Sequence, residues 1–194
     1  MTTLTFDTSG PFCAVHAGTG PARVEWMKTG QAEQLFLLIQ AALADAGVKR
    51  GDITRICAGI GPGNFTGTRI SVAAARGLAL SLGCPAVGVS RLEALLTLAP
   101  HRTAAVAAYA DNLFIQVSGG GPAIMHRSAV AGQEIIVDDS FPHQSDAHVV
   151  PLSKILPTMA GIATARQDAP PPAPLYLRGP GAVPPRELPP KILP

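Results

Sequence analysis

Two short segments hold residue types and spacings that could do chemistry. The first is Gly61-Pro62-Gly63-Asn64-Phe65-Thr66-Gly67-Thr68-Arg69-Ile70, set between an apolar run and a stretch of helical pattern rich in Ala and Gly. A glycine turn between a strand and a helix start can offer backbone N–H groups to a phosphate, so nucleotide binding is the first chemistry to test. The spacing completes neither known loop. No Lys-Ser or Lys-Thr follows as in a Walker A loop, and Gly61-x-Gly63 runs into Asn64, Phe65 and Thr66 where a dinucleotide fingerprint needs a third glycine. The second segment, Asp7-Thr8-Ser9, could set a carboxylate near magnesium and two hydroxyls on phosphates, as a small ATP-binding phosphotransferase or ATPase requires. Such an enzyme also needs a second acid and a loop under the adenosine. Gly119-Gly120-Gly121 reads more simply as a hairpin turn, Ala107-Ala108-Tyr109 carries no acid, and Asp7 reads as a turn cap.

Other reactive residue types give less. Of the five histidines, His16, His101, His126, His143 and His148, no two stand at i, i+4, and His143 and His148 flank a polar stretch that reads as loop. No metal site is expected. Cys13, Cys57 and Cys84 are odd in number and widely spaced, which suggests small buried side chains rather than disulfides or a zinc knuckle. Ser9 and Ser90 lack a nucleophile elbow. Arg69 is the one charged residue that stands out in a small, apolar helix. Its planar fork suits a phosphate or carboxylate across an interface, and an exposed helix charge is the equal alternative.

The elements that must position these residues follow from pattern. Residues 4–6, 12–16 and 23–27 read as a three-stranded meander. A helix is predicted over 31–46, with Leu35, Leu38, Ile39, Ala42 and Ala46 on one stripe and Phe36, Leu37, Ala41 and Ala44 on other faces. A helix apolar on more than one side needs a second cover. A buried strand at 53–58 leads into the glycine turn and a helix over 66–82, whose stripe of Thr66, Ile70, Ala73 and Gly77 lets a neighbouring helix approach closely, in its own lobe or in another chain. Ser90 is placed to cap a helix over 91–98. Strands are predicted at 85–89, 104–110, 113–118 and 123–125, a last helix at 153–166 broken early by Pro157, and a proline-dense tail over 170–194.

Only 14% of residues are charged and the formal net charge is +2, with the basic residues scattered, so a dedicated nucleic-acid groove is not expected. The thin coat of charge fits a chain that buries part of its surface against another, or one from a high-alanine genome. With no basic start leading into an apolar segment and no apolar run of about 18 residues, a cytoplasmic protein without membrane contact is expected.

Residues 61–71, followed by Ala74-Ala75-Arg76-Gly77-Leu78-Ala79, resemble the hallmark stretch of the TsaB (YeaZ) family, which usually reads Gly-Pro-Gly-Ser-Phe-Thr-Gly-Leu-Arg-Ile-Gly. Phe6-Asp7-Thr8-Ser9, the run from Val87-Gly88-Val89-Ser90 through Leu92 to Ala94-Leu95, and Pro174-Leu175-Tyr176-Leu177-Arg178 agree in order, so the resemblance spans nearly the whole chain. It implies an α/β actin-like or sugar-kinase-like (ASKHA, ribonuclease-H-like) fold of two small lobes with mixed sheets flanked by helices. The lobes would be 1–100 and 101–169, with 170–194 as extended tail.

The resemblance further implies a non-catalytic partner of TsaD, the glycoprotease M22-like subunit that transfers threonylcarbamoyl to N6 of adenosine 37 in tRNAs reading ANN codons. The ATPase TsaE would join them, tRNA would be met only through the complex, and a homodimer would form when TsaD is absent. No cofactor of its own is implied, although ATP or ADP could lodge at the interface with TsaD. The residues carried over are Leu35, Ile39, Thr66, Arg69, Ile70, Ala73 and Gly77 as partner interface, and Gly61, Pro62, Gly63, Phe65, Thr66 and Gly67 as the motif loop. Asp7, Thr8 and Ser9 would be a vestigial phosphate loop, and none of these residues is expected to be catalytic or to bind metal. The chain departs from the family at Gly30-Gln31-Ala32-Glu33, where a His usually precedes the first long helix. It departs again at Ala107-Ala108-Tyr109, in place of Asp-Ala-Arg, and at Gly179-Pro180-Gly181, where an acid commonly follows.

Overall fold

A computed structural model describes residues 2–142 and 147–178; His143 and the tail beyond Arg178, including Gly179-Pro180-Gly181, lie outside the described residues. The chain runs β1 (Thr2–Asp7), β2 (Phe12–Ala17), β3 (Arg23–Trp26), α1 (Gln31–Asp45), β4 (Ile53–Gly59), α2 (Phe65–Leu82), β5 (Ala86–Val89) and α3 (Arg91–Leu98). It continues through β6 (Thr103–Ala107), β7 (Asn112–Gln116), β8 (Ala123–His126), β9 (Ile135–Asp138), β10 (His148–Val150) and α4 (Leu152–Ala165). One sheet has the order β3-β2-β1-β4-β5, the other β10-β9-β6-β7-β8. Both are mixed: β1 pairs β2 antiparallel and β4 parallel, while β6 pairs β7 antiparallel and β9 parallel.

Alternation along the strands sends side chains to two covered faces, which is why β1 and β2 are buried almost throughout. Leu4, Phe6, Cys13 and Val15 meet α1 and α2 on the outer face of the first sheet. Phe12, Ala14, Cys57 and Val87 face inward, where α3 and α4 fill the space up to Ala104, Val106 and Ile136 of the second sheet. The layers are therefore α1–α2, first sheet, α3–α4, second sheet. The two long helices are closed by side-chain and backbone chemistry at their ends. Asn64 caps α2 by accepting from the N–H groups of Thr66 and Gly67, and Val48 N–H donates back to Leu43 O past the end of α1.

Four expectations are corrected. Pro157 does not break the last helix, because Leu152, Ile155, Leu156, Met159 and Ala163 are all buried along it. Burying five such side chains, at about 1.5–3 kcal/mol for each large one, outweighs the roughly 3 kcal/mol cost of an interior proline. Ser153, whose carbonyl loses its partner, is exposed to water. The strand expected to reach 110 stops at Ala107, since residues 108–111 turn with Ala110 at φ 53°. Strands β9 and β10 form where no element was read, and His148 lies in β10 rather than in a loop. The segment numbered with the second lobe also returns: Thr3 and Thr164 hydroxyls meet at 3.1 Å, and Cys57 Sγ donates to Met159 O, so α4 packs on the first sheet. Among the described residues no helix is long and apolar enough to cross a membrane.

Candidate functional site

The glycine loop lies over the end of β1. Asn64 N–H donates to Ser9 O at 2.6 Å, and Thr8 Oγ1 donates to Gly67 O at 2.6 Å. Thr8 N–H donates to Ser71 Oγ at 2.9 Å, and the two hydroxyls lie 2.8 Å apart. Gly63 and Gly67 are required by this approach. A Cβ at Gly63 would overlap Ser9 O, and one at Gly67 would overlap Thr8 O. Asp7, Thr8 and Ser9 are consequently fully buried, and Asp7 Oδ1 accepts from Ser9 N–H at 2.7 Å as a turn cap. The segment that could have held phosphates is sealed beneath the loop that resembled a phosphate cradle.

A second acid does reach this place, contrary to the reading of residues 107–109. It is Asp138 at the end of β9, and it meets Asp7 through Arg91, the first residue of α3 and one of the largest fully buried side chains. Arg91 Nη1 donates to Asp138 Oδ2 at 2.9 Å and to Ser140 Oγ at 3.3 Å. Its Nη2 donates to Pro62 O at 2.8 Å, its Nε lies 3.6 Å from Asp7 Oδ2, and its backbone N–H donates to Gly61 O. Asp138 also accepts from Ser140 N–H at 2.9 Å. One guanidinium thus occupies the space between two carboxylates from different sheets and clamps the glycine loop. A divalent cation would need that same space, so the residues present do not fit one. Sequence reasoning missed this centre. Ser90-Arg91 reads only as a helix start, and residues 47 apart give no local signal.

The remaining candidates are dispersed. Cys13 and Cys57 are enclosed, and burial pushes both thiols up to about 12; burial also raises Cys84. His126 Nδ1 contacts Ser128 Oγ at 2.8 Å on the surface. His16 is buried, and desolvation holds it below the usual imidazole value. Among the described residues no three His, Cys, Asp or Glu side chains are grouped to hold a metal.

The outer face of α1 and α2 carries exposed apolar side chains. Phe36 is 51% exposed, Leu37 58% and Leu80 87%, and Thr66, Arg69, Ala73 and Gly77 are exposed beside them. Leu35 and Ile39, carried over as partner interface, are corrected: both lie in the protein's own core against β2, and Phe36 and Leu37 hold the outward positions instead. Ile70 is half-buried. Arg69 is engaged within the chain, its guanidinium 3.7 Å from the Phe65 ring centroid and its Nε donating to Tyr176 Oη at 2.8 Å. Phe65 and Tyr176 stack at 4.7 Å, which fastens residues 172–178 to the first turn of α2. A cleft of about 760 Å³ lies beside this latch, between α2 and the strands β6–β8.

This architecture, with mixed sheets on either side of a helical layer and paired carboxylates at their meeting point, defines an actin-like α/β protein. The model of the family described as TsaD, tRNA N6-adenosine threonylcarbamoyltransferase, matches residues 25–141. An uncharacterized protein of Mycobacterium tuberculosis is 32% identical over 205 aligned positions, covering 94% of each chain. The tRNA threonylcarbamoyladenosine biosynthesis protein TsaB of Escherichia coli is 36% identical over 95 positions, 47% of this chain and 41% of that one. A crystal structure of an uncharacterized Pseudomonas aeruginosa protein with similarity to peptidase YEAZ superposes with a TM-score of 0.73 at 26% identity, covering 91% of this chain and 99% of the other. The chain belongs to the TsaD-related family and within it is TsaB-like, of the YeaZ type.

Proposed function

We propose that the protein is a non-catalytic subunit in the biosynthesis of threonylcarbamoyladenosine in tRNA, and that its α1–α2 face holds a TsaD subunit. The observation that carries this reading is a contrast within one molecule: Asp7, Thr8 and Ser9 are sealed, whereas Phe36, Leu37, Ala73, Gly77 and Leu80 are bare. Covering Phe36 and Leu37, already about half buried, would contribute about 1 kcal/mol each and covering Leu80 about 1.5–3 kcal/mol, and the small residues of α2 let a partner helix approach. TsaE joins through TsaD, a second copy of this chain covers the face where TsaD is absent, and tRNA is met through the complex. ATP or ADP, if bound, sits at the interface with TsaD.

The test is co-expression with TsaD. Gly77→Leu adds a side chain where a Cβ would meet nothing within 4 Å, and Ala73→Arg changes an exposed position, so both variants should melt like the parent protein. Each is expected to abolish co-purification and to lower threonylcarbamoyladenosine in total tRNA nucleosides. Retention of both by folded variants would refute the assignment.

A further inference from the structure

We propose that the cleft between α2 and strands β6–β8 binds a planar aromatic anion, a proposal that does not rest on the partner assignment. The cleft, about 760 Å³, falls in the range of small-molecule sites. Its floor is apolar, with Phe114 and Ile124 from the second sheet. Tyr109 stands on the turn after β6 and is 73% exposed at the cleft. The next residue, Ala110, is the one non-glycine residue at positive φ among those described, at 53°. Strain of this kind persists where the surrounding structure needs the geometry, and here it accompanies the bared ring.

Charge selects the ligand class. Among the described residues that line the cleft, Arg178 is the one charged side chain and none is a carboxylate. The Arg178 guanidinium lies over the Tyr109 ring, 4.9 Å from its centroid, which holds its donors at the cleft. A second aromatic–arginine group, Phe65 and Tyr176 with Arg69, forms the adjoining wall. A flat ring on the Phe114–Ile124 floor beside Tyr109, with its negative group on Arg178, satisfies both features at once. Two sources share that chemistry, a nucleotide and an aromatic carboxylic acid.

The test titrates the protein with anilinonaphthalene sulfonate and with its uncharged analogue phenylnaphthylamine. A Leu80→Glu background reduces competing binding on the apolar helix face. One saturable site is expected. Tyr109→Ala should weaken both probes, whereas Arg178→Gln should weaken only the sulfonate, by about tenfold. Both residues are exposed, so an unchanged melting curve checks that the variants fold. Displacement of the sulfonate by adenosine monophosphate assigns a nucleotide, and displacement by indoleacetate assigns an aromatic carboxylate. Displacement by neither, or Arg178→Gln weakening both probes equally or neither, overturns the proposal.

Discussion

Replacing Arg91 with methionine keeps much of the side-chain volume and removes the guanidinium. The variant loses the donors at 2.9 Å to Asp138 Oδ2 and at 2.8 Å to Pro62 O, and leaves Asp7 Oδ2, 3.6 Å from Nε, without a counter-ion. All three ionisable side chains are fully buried, so solvent screening is small and the cost is that of an uncompensated buried charge, about 3–5 kcal/mol. At about 2–4 °C per kcal/mol for a chain of this size, the melting temperature should fall by roughly 6–20 °C. Circular dichroism during heating and in urea measures it. Asp138→Asn made on top of Arg91→Met should cost about 2 kcal/mol less than the sum of the single variants, because each already removes the same contact. A loss below about 1 kcal/mol for Arg91→Met, or strict additivity, would refute the claim that this guanidinium joins the two sheets.

Three further outcomes follow from the same geometry. Gly67→Ala drives a methyl group into Thr8 O, and the overpacking should destabilise the protein by at least about 1–3 kcal/mol in urea titration, while Gly77→Ala, in open space, should not destabilise it. His16 titrates near 6.5 when unfolded and lower when folded, so the unfolded chain binds more protons between those values. Stability is therefore full above that point and declines as pH falls below it, by at most about 1.4 kcal/mol per pH unit, and His16→Gln should flatten the melting profile there. With Cys13 and Cys57 enclosed and their thiols pushed up to about 12, a thiol reagent near neutral pH should label Cys84 first. Equal labelling of all three in the folded protein would contradict the packing.

Much of the fold could be read from local pattern, because its determinants are local. The β1–β3 meander, the cap at Ser90 and the turns ending α1 and α2 each depend on residues within a few positions of one another. Helix continuity through Pro157 depends instead on core packing around α4, and β9 and β10 form through pairing with distant strands, so neither shows in a local window. The two faces of α1 were visible as apolar on both sides. Which one turns inward depends on how β2 meets it, and that placed Leu35 and Ile39 inside and Phe36 and Leu37 outside.

The amino-acid sequence by itself determined most of the elements before β9, the glycine loop and the family resemblance, since these reside in residue identity and short-range spacing. The folded chain alone decided that Arg91 lies between Asp7 and Asp138, and that Tyr109 and Arg178 meet at one cleft. Their partners are separated by dozens of residues, and only the stacking of two sheets around a shared helical layer brings those charges within contact distance.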